Sequence, residues 1–187
     1  MMKFDPPLQT HLLKTERLQF RHLLLSDAEE WSPFCASEEA NRYFMPVEEP
    51  PLQAARTFIG KTQERWEEGG TGFCVLAEKN SGAIVGLMGL LTQVVDGEPE
   101  LEIGYRLLPQ HWKKGYAIEA AKKFRDFAFE NRLAESIISI VHIDNVPSQR
   151  VAERNGMRRT KQTVFREIFP VFIYRITREE WEKLPAR

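Results

Sequence analysis

The chain has 187 residues, a hydrophobic content of 42% and a formal net charge of −1. A chain of this length folds into one domain of ordinary size, so we expect a single domain over residues 1–187, in which residues 1–15 form an extended lead-in. The near-neutral charge argues against non-specific binding to nucleic acid, which needs a strongly basic surface.

The sequence shows no targeting or metal-binding signal. No apolar run reaches the roughly 18 residues of a membrane span, and the N-terminal segment MMKFDPPLQT lacks the apolar region of a secretory signal. Cys35 and Cys74 can form at most one disulfide, and neither they nor the histidines have metal-ligand spacing. We therefore expect a cytoplasmic protein without a metal, whose partners include neither a membrane nor a nucleic acid.

The chain begins with a predicted strand followed by a helix. In TERLQFRHL, the residues Leu18, Phe20 and His22 alternate onto one face, which predicts the first strand. SDAEEW then opens a helix, for which Ser26 is the expected N-cap and Glu29 completes a capping box.

The middle of the chain predicts an antiparallel meander. Turn residues at 80–82 and the hairpin dipeptide Asp96–Gly97 separate consecutive strands, and such tight turns join antiparallel neighbours. The expected elements are an irregular segment at 41–51, a helix over 52–66 that ends at Gly69 and Gly70, and strands over 73–78, 84–92 and 101–108.

The stretch from Pro99 to Phe129 holds a strand, a loop and a helix in succession. Pro109 ends the strand, because a proline cannot donate to the ladder. Apolar residues then recur from Ala117 to Ala128 at the spacing of a helix with one buried face. The polar residues expected on its solvated face are Lys122, Lys123, Arg125, Asp126 and Glu130.

The loop HWKKGYA, between this strand and helix, has the features of an anion-binding site. It leads into a helix N-terminus, where unpaired N–H groups and the positive end of the dipole point outward. Gly115 lets the backbone approach a ligand, while Lys113 and Lys114 add positive charge. From the loop alone, a plain helix start with two solvated lysines is an equally good interpretation, since the loop matches neither the P-loop nor the dinucleotide-binding fingerprint.

The remainder of the chain completes the sheet. SIISIVHI is apolar on both faces, which indicates an interior strand. With the strand before the helix it forms a β-α-β unit, for which parallel pairing and a right-handed crossover are expected. The other expected elements are a C-cap at Asn131, a helix from Pro147 to Gly156, strands over 159–167 and 171–177, and a last helix that starts in ITREEW.

WKKGYA, preceded by a strand that ends in LLP, resembles the coenzyme A pyrophosphate loop of the GNAT N-acetyltransferase superfamily. The family pattern Q/R-x-x-G-x-G/A falls on Trp112, Gly115 and Ala117, with Trp112 in place of the usual Gln or Arg. The wording EIGYRLLP…GYAIEA is similar to one branch in particular, the ribosomal-protein N-terminal acetyltransferase (Rim-type) group.

A second block of residues supports this resemblance. The family pattern N-x-x-A/S-x-R-x-x-x-x-x-G-F/M falls on Asn145, Ser148, Arg150, Gly156 and Met157. The two blocks lie in the family's order and on the expected elements, and the resemblance covers nearly the whole chain from residue 15 onward.

The resemblance implies the α/β GNAT acyl-CoA N-acyltransferase fold, with a mixed twisted sheet of about seven strands flanked by helices. It implies an N-acetyltransferase that moves an acetyl group from acetyl-CoA, its cosubstrate, to a primary amine by direct attack in a ternary complex. The acceptor is a protein N-terminal α-amine or a small molecule such as an amino acid, polyamine, amino sugar or antibiotic. A non-catalytic acyl-CoA-binding module is a further alternative, and the chain is compatible with a monomer or a homodimer.

The resemblance also implies which residues hold the coenzyme. The backbone around Leu107 and Leu108 should pair with the pantetheine amides like an added strand. Asn145 should hydrogen-bond the same arm near the thioester, and Arg150 should either pair with a coenzyme phosphate or brace the loop. The pyrophosphate should accept hydrogen bonds from the backbone of Lys113, Lys114, Gly115, Tyr116 and Ala117.

Two side chains are candidates for the chemistry. Glu102 lies between Leu101 and Ile103, where a buried carboxylate is costly without a partner or a purpose, and burial would raise its pKa toward that of a useful general base. A structural ion pair is the alternative for Glu102. Ser148 either hydrogen-bonds the departing thiolate, since Ala152 occupies the family's usual tyrosine position, or is a helix-surface hydroxyl.

In acetyltransferases of this type, the stretch that corresponds to residues 41–70 closes over the acceptor. Trp31, Tyr43 and Phe44 are therefore candidates for the walls of an acceptor pocket, and each could equally be a core aromatic. Glu48 and Glu49 either attract a cationic acceptor or form a solvated acidic loop.

Overall fold

The computed structural model describes residues 2–46 and 48–185, which form one mixed sheet of seven strands flanked by helices. No helix among these described residues is long and apolar enough to cross a bilayer. The strands are β1 (Leu18–His22), β2 (Gly72–Glu78), β3 (Ile84–Val95), β4 (Glu98–Leu107), β5 (Ser136–His142), β6 (Arg158–Phe165) and β7 (Phe169–Thr177). The helices are α1 (Ala28–Ala36), α2 (Glu38–Asn41), α3 (Pro51–Gly69), α4 (Tyr116–Glu130), α5 (Val146–Arg154) and α6 (Arg178–Glu182).

The expected α/β architecture and antiparallel meander are confirmed. The strand order is β1-β2-β3-β4-β5-β7-β6, and β1 to β4 pair antiparallel in the order β1-β2-β3-β4. The turn between β3 and β4 is Asp96–Gly97, and both residues have positive φ, at 51° and 86°. That backbone matches the twist of the two strands, which is why Asp-Gly is a strong hairpin signal.

The parallel pair β4–β5 lies in the middle of the sheet and is joined only briefly. Glu102 opposite Ile138 is the pairing between the two strands. Beyond it, β5 continues along β7 as far as His142, and β4 continues along β3 as far as Leu107. The two strands therefore separate toward their carboxyl ends, and this opening lies next to the N-termini of α4 and α5.

The sheet carries a separate apolar core on each face. Leu101 and Ile103 of β4 pack with Phe124 of α4 on one face. Trp31 of α1 and Ile59 of α3 belong to the core on the other face. Because side chains alternate along a strand, the even-numbered residues of β4 face the layer of α1 and α3.

The predicted N-cap at Ser26 is wrong. A 3-10 turn over Leu25–Asp27 precedes α1, which begins only at Ala28. The Asp27 carboxylate accepts from the backbone N–H of Leu24 at 2.8 Å and pairs with Arg21 of β1 at 2.7 Å. Asp27 occupies the position before α1 without a side-chain hydrogen bond to the helix, because its two oxygens serve the 3-10 turn and Arg21 instead, and a serine hydroxyl could not form that ion pair.

The expected extended lead-in is not extended throughout. Thr10–Leu12 form a 3-10 turn, and Leu8 and Thr10 are buried. Leu8 belongs to the core on the α4 face, and the Thr10 hydroxyl lies 3.4 Å from the sulfur of buried Cys74. The segment folds back because burying its apolar side chain against the sheet offsets the entropy of ordering it.

Arg125 was predicted on the solvated face of α4, but it is only 4% exposed. Its guanidinium donates to the carbonyl of Asn155 at 2.8 Å and pairs with Asp126 at 2.8 Å. The end of α5 covers this part of α4, so a tertiary contact buries a residue that the helical periodicity assigns to the surface.

Candidate active site

Glu102 lies where β4 and β5 begin to separate, and it is 8% exposed. Gln93 Nε2 of β3 donates to its Oε2 at 2.6 Å. Burial raises the pKa of Glu102 above the usual glutamate value, and hydrogen bonds from Gln93 and from the Ile140 backbone offset this only in part. The positive charges of Arg65 and Arg166 also lower the pKa of Glu102, although neither arginine forms an ion pair with it among the described residues. A carboxyl in this setting suits proton transfer better than structural pairing.

The edge of β4 that faces the opening carries unpaired backbone groups. The Ile103 carbonyl, which points toward β5, accepts from the Ser139 hydroxyl at 3.0 Å. Backbone groups alternate sides along a strand, so Tyr105 and Leu107 face the same way. The Leu107 carbonyl accepts from Trp112 Nε1 at 2.8 Å. Trp112, which replaces the family's usual Gln or Arg, thereby ties the loop to the end of the strand. The Leu107 N–H faces the opening beyond the last pairing of β4 with β5, so it remains for a ligand.

The structure does not support the predicted backbone role of Leu108. Its N–H donates to the Val85 carbonyl at 3.1 Å, and its own carbonyl accepts from the His111 N–H at 2.9 Å. Both groups are already satisfied, because Leu108 lies one residue beyond β4 and points the opposite way from Leu107. Tyr105 takes its place as the second residue whose backbone faces the opening.

The loop before α4 presents its N–H groups outward. Lys113 and Gly115 have positive φ, at 60° and 83°, and no side chain caps the first turn of α4. Among the described residues, the N–H groups from Lys113 to Ala117 have no backbone or side-chain acceptor. Alternating left-handed and right-handed residues at a helix N-terminus form an anion-binding concavity, which agrees with the predicted pyrophosphate site.

Arg17, which lies just before β1, holds this loop in place through three contacts. Its guanidinium donates to the Lys114 carbonyl at 2.9 Å and to Glu119 of α4 at 2.6 Å, and it stacks on the Tyr116 ring at 4.4 Å. No sequence pattern singled out Arg17, although it lies in the TERL wording that resembles the family. Nothing local in the sequence indicates that residues 17 and 114 meet.

The N-terminus of α5 forms the other side of the opening. Asn145 caps the helix by accepting from the Ser148 N–H at 3.2 Å, which leaves its amide N–H₂ without an acceptor among the described residues. The Ser148 hydroxyl likewise has no described partner, and the Ser148 carbonyl accepts from the Tyr105 hydroxyl at 3.0 Å. Arg150 is exposed and contacts no described part of the loop through a hydrogen bond or ion pair, so the bracing alternative has no support.

Tyr105 is a site residue that sequence reasoning missed. Its side chain links β4 to α5 across the opening, and burial raises its pKa above the usual tyrosine value. The available signal was its place three residues after Glu102 on the strand that borders the opening, but a tyrosine in a strand is ordinarily interpreted as a packing residue.

The three predicted acceptor-side aromatics do not form one wall. Trp31 is 1% exposed and stacks on Phe34 at 4.5 Å, and both line a cavity of about 50 Å³. Phe44 lies near the same cavity, against Phe34. Tyr43 instead donates to the Asp144 carbonyl at 3.1 Å, so it connects the segment after α2 to the loop before α5.

Comparison with known proteins agrees with this geometry. Residues 17–158 match the family model for the Acetyltransferase (GNAT) domain. The N-acetyltransferase p20 of Bacillus licheniformis is 26% identical over 175 residues, which cover 90% of this chain and 97% of p20. An acetyltransferase structure from Agrobacterium tumefaciens superposes with a TM-score of 0.74 at 28% identity, over 88% of this chain and 92% of that one.

A second solved structure shares the fold at lower identity. The ribosomal-protein-S5-alanine acetyltransferase of Vibrio fischeri superposes with a TM-score of 0.68 at 16% identity, over 90% of this chain and 97% of that one. The family model covers most of the chain, including β4, the loop before α4 and α5. This chain therefore belongs to the GNAT acetyltransferase family and is an acyltransferase enzyme.

Proposed function

We propose that the enzyme acetylates a primary amine by direct attack on acetyl-CoA in a ternary complex, with Glu102 as the general base. The observation that carries this proposal is a buried carboxyl of raised pKa at the mouth of the opening between β4 and β5. The amine nitrogen attacks the thioester carbon as its proton passes to Glu102, directly or through a water. The carbon–sulfur bond then breaks, and the thiolate of coenzyme A leaves.

The residues around the opening fit the coenzyme. The N–H groups from Lys113 to Ala117 supply donors for the pyrophosphate, and the backbone of Tyr105 and Leu107 supplies a strand edge for the pantetheine amides. The free amide N–H₂ of Asn145 is a further donor on the facing side. Arg150 is exposed near the same helix and is our candidate for a coenzyme phosphate.

The departing thiolate needs little help. A thiol has a pKa of about 8.5, so solvent can protonate the thiolate after release. The unpartnered Ser148 hydroxyl is our candidate for a hydrogen bond to the sulfur. Tyr105 already donates to the Ser148 carbonyl, so we assign it to positioning α5 and not to protonation.

The acceptor is either a protein N-terminal α-amine or a small amine. The cavity on the acceptor side is small, about 50 Å³, and three of its seven lining residues are aromatic. Glu49 is exposed and accepts from Thr57, which supports the solvated acidic loop over a recruiting role.

The test combines coenzyme binding with turnover. Titration calorimetry of acetyl-CoA and CoA into the wild type and Glu102→Gln should give equal affinities. Thiol release on a panel of small amines and ribosomal N-terminal peptides should fall roughly 10²- to 10⁴-fold in the variant, as expected when a general base is lost. Glu98→Gln, which changes an exposed glutamate on the same strand, is the matched control.

Three results would contradict parts of this proposal. Unchanged turnover in Glu102→Gln would remove the base assignment. Failure of the wild type to bind acetyl-CoA would remove the pyrophosphate-loop assignment. Tight binding without thiol release on any amine would favour the non-catalytic module.

A further inference from the structure

Arg106 of β4 lies in a cage of aromatic rings on the acceptor side of the sheet. Its guanidinium carbon is 4.1 Å from the ring centre of Phe44, 4.9 Å from that of Phe58, and 5.9 Å from those of Phe34 and Phe73. These rings come from four separate parts of the chain, namely α1, the segment after α2, α3 and β2. We call them the aromatic cage. Arg106 also lines the cavity of about 50 Å³ on this side.

The cage leaves the hydrogen-bonding capacity of the Arg106 side chain unused. Stacked rings attract the faces of a guanidinium but cannot accept its five in-plane N–H groups together. Among residues 2–46 and 48–185, the Arg106 guanidinium has no hydrogen bond and no ion pair. The arginines that do pair with an Asp or Glu are Arg17, Arg21, Arg125, Arg158, Arg175 and Arg178.

Arg106 carries a positive charge that an anion could pair with, and other charged groups lie within range of it. Arg65 and Arg166 act on Glu102 through their charge, and Arg166 also acts on Arg106. Burial lowers the pKa of Arg106 to about 10, so its guanidinium remains protonated at neutral pH. Arg65 and Arg166 therefore lie within range of a charge–charge interaction with this part of the site.

We propose that Arg106 binds a carboxylate on the acceptor, so that the enzyme acetylates the amine of an amino acid. A guanidinium held by stacking is preorganised for a bidentate carboxylate, and a carboxylate is small enough for the cavity. This inference rests on the proposed function, because it places the reacting amine beside Glu102.

The positions of Glu102 and Arg106 on β4 place the amine and the carboxylate of the acceptor on one face of the sheet. Glu102 and Arg106 are four residues apart on one face, which is roughly 13 Å between their Cα atoms at about 3.3 Å per residue. Their side chains are separated on that face only by Gly104, which has none. Glu102 Cδ lies 3.7 Å from where a Cβ on Gly104 would be, so the charged ends are closer together than the Cα atoms, and the turnover series below determines which length of amino acid contacts both groups.

Binding of a simple carboxylate tests the subsite without any turnover. Pentanoate should bind the CoA complex of the wild type in titration calorimetry, and pentanamide should bind at least about 10-fold more weakly. Arg106→Met keeps the apolar stem inside the cage and should lose this preference. Arg56→Met, which removes an exposed arginine of α3, is the matched control and should keep it. Equal affinity of pentanoate for the wild type and Arg106→Met would overturn the proposal.

Turnover tests the same subsite as a selector of substrates. ω-Amino acids from glycine to 6-aminohexanoate are compared with their ω-amino amides. In the wild type, kcat/KM should favour the carboxylate over the amide at one chain length by about 10-fold, mainly through KM. Arg106→Met should bring the two within about threefold while amide turnover is retained, and Arg106→Lys, which keeps the charge but loses the fork, should fall between them.

The two proposals fail in different ways. If no amine releases thiol although acetyl-CoA binds, the proposed function fails, and pentanoate binding alone decides the role of Arg106. If amines are acetylated but the wild type prefers the amides, the proposed function stands and the carboxylate subsite is wrong. Thermal melts of each variant exclude loss of fold as the cause of a change.

Discussion

At the scale of single residues, our proposal depends on the protonation of Glu102. A buried glutamate that pairs with no cation among the described residues stays neutral to higher pH than a solvated one. Gln93 donates a hydrogen bond to the Glu102 carboxyl but carries no charge. It therefore orients the carboxyl without stabilising the ionised form as strongly as a cation would. The raised pKa of Glu102 therefore bears both on its proposed role as a base and on the stability of the fold.

The raised pKa of Glu102 predicts a pH-dependent cost to folding. A group that binds its proton more tightly in the folded state loses stability as pH rises from its unfolded pKa through its folded pKa. Glu102→Gln removes this loss, so its stability relative to wild type should rise from about pH 4 to above the raised pKa and then level off. At the plateau, the difference in the free energy of unfolding should be about 1.4 kcal/mol for each pKa unit by which folding raises the pKa of Glu102.

Urea unfolding at a series of pH values measures this difference. Glu98→Gln should show no comparable rise, because Glu98 is exposed at the start of the same strand. A difference between Glu102→Gln and wild type that does not change with pH would mean that Glu102 has an ordinary pKa in the folded protein.

At the scale of elements, the loop before α4 is shaped by a partner from the other end of the chain. Gly115 adopts φ of 83°, and a Cβ there would lie 3.3 Å from Arg17 Nη2. Glycine suits this position because it tolerates the positive φ and leaves room for the arginine. Arg17 in turn holds the Lys114 carbonyl and the Glu119 carboxylate. The segment that leads into β1 and the helix α4 thus together determine the conformation of this loop.

Arg17→Met is expected to weaken coenzyme binding with little effect on stability. The Arg17–Glu119 pair is partly exposed, and such pairs contribute less than about 1 kcal/mol. Losing the brace lets the loop sample other conformations, so calorimetry should show acetyl-CoA affinity reduced by about 10-fold. Arg158→Met, which breaks a surface ion pair with Glu180, is the control and should leave the affinity unchanged. Unaltered acetyl-CoA affinity in Arg17→Met would show that the loop holds its shape alone.

At the scale of the whole molecule, the opening between β4 and β5 is the feature on which the site depends. Four elements meet there: β4 supplies the proposed base and a free edge, α4 supplies N–H groups, α5 supplies Asn145 and Ser148, and β5 forms the facing strand. The separation of the two strands leaves backbone groups of β4 unpaired in the middle of a sheet. Unpaired central backbone is costly unless a ligand uses it.

Hydrogen exchange should show which side of β4 the coenzyme covers. The amides of Tyr105 and Leu107 face the opening and should exchange quickly in the free protein and slowly with CoA bound. The amide of Arg106 faces β3 and should be slow in both states, which makes it an internal control on the same strand. Exchange of Tyr105 and Leu107 that is unaffected by CoA would contradict the added-strand model of pantetheine binding.

Most of the fold was predictable because its signals are local. The meander follows from Asp96–Gly97 and strand periodicity, and the loop before α4 follows from Pro109 and Gly115. The errors share one cause. Ser26 and Arg125 are predictions from neighbours in sequence and Leu108 from the family resemblance, whereas the contacts that decide these positions come from other elements: Arg21 pairs with Asp27 beside Ser26, Val85 accepts from Leu108, and Asn155 accepts from Arg125.

The sequence by itself determined the family, the order of elements and the residue types that the chemistry needs, because these are written in short motifs and in the periods of strand and helix. Only the tertiary structure decided how far β4 and β5 separate, that Glu102 meets Gln93 and not a cation, and that four distant rings enclose Arg106. These depend on how helices pack on both faces of the sheet, and packing joins residues that no local pattern relates.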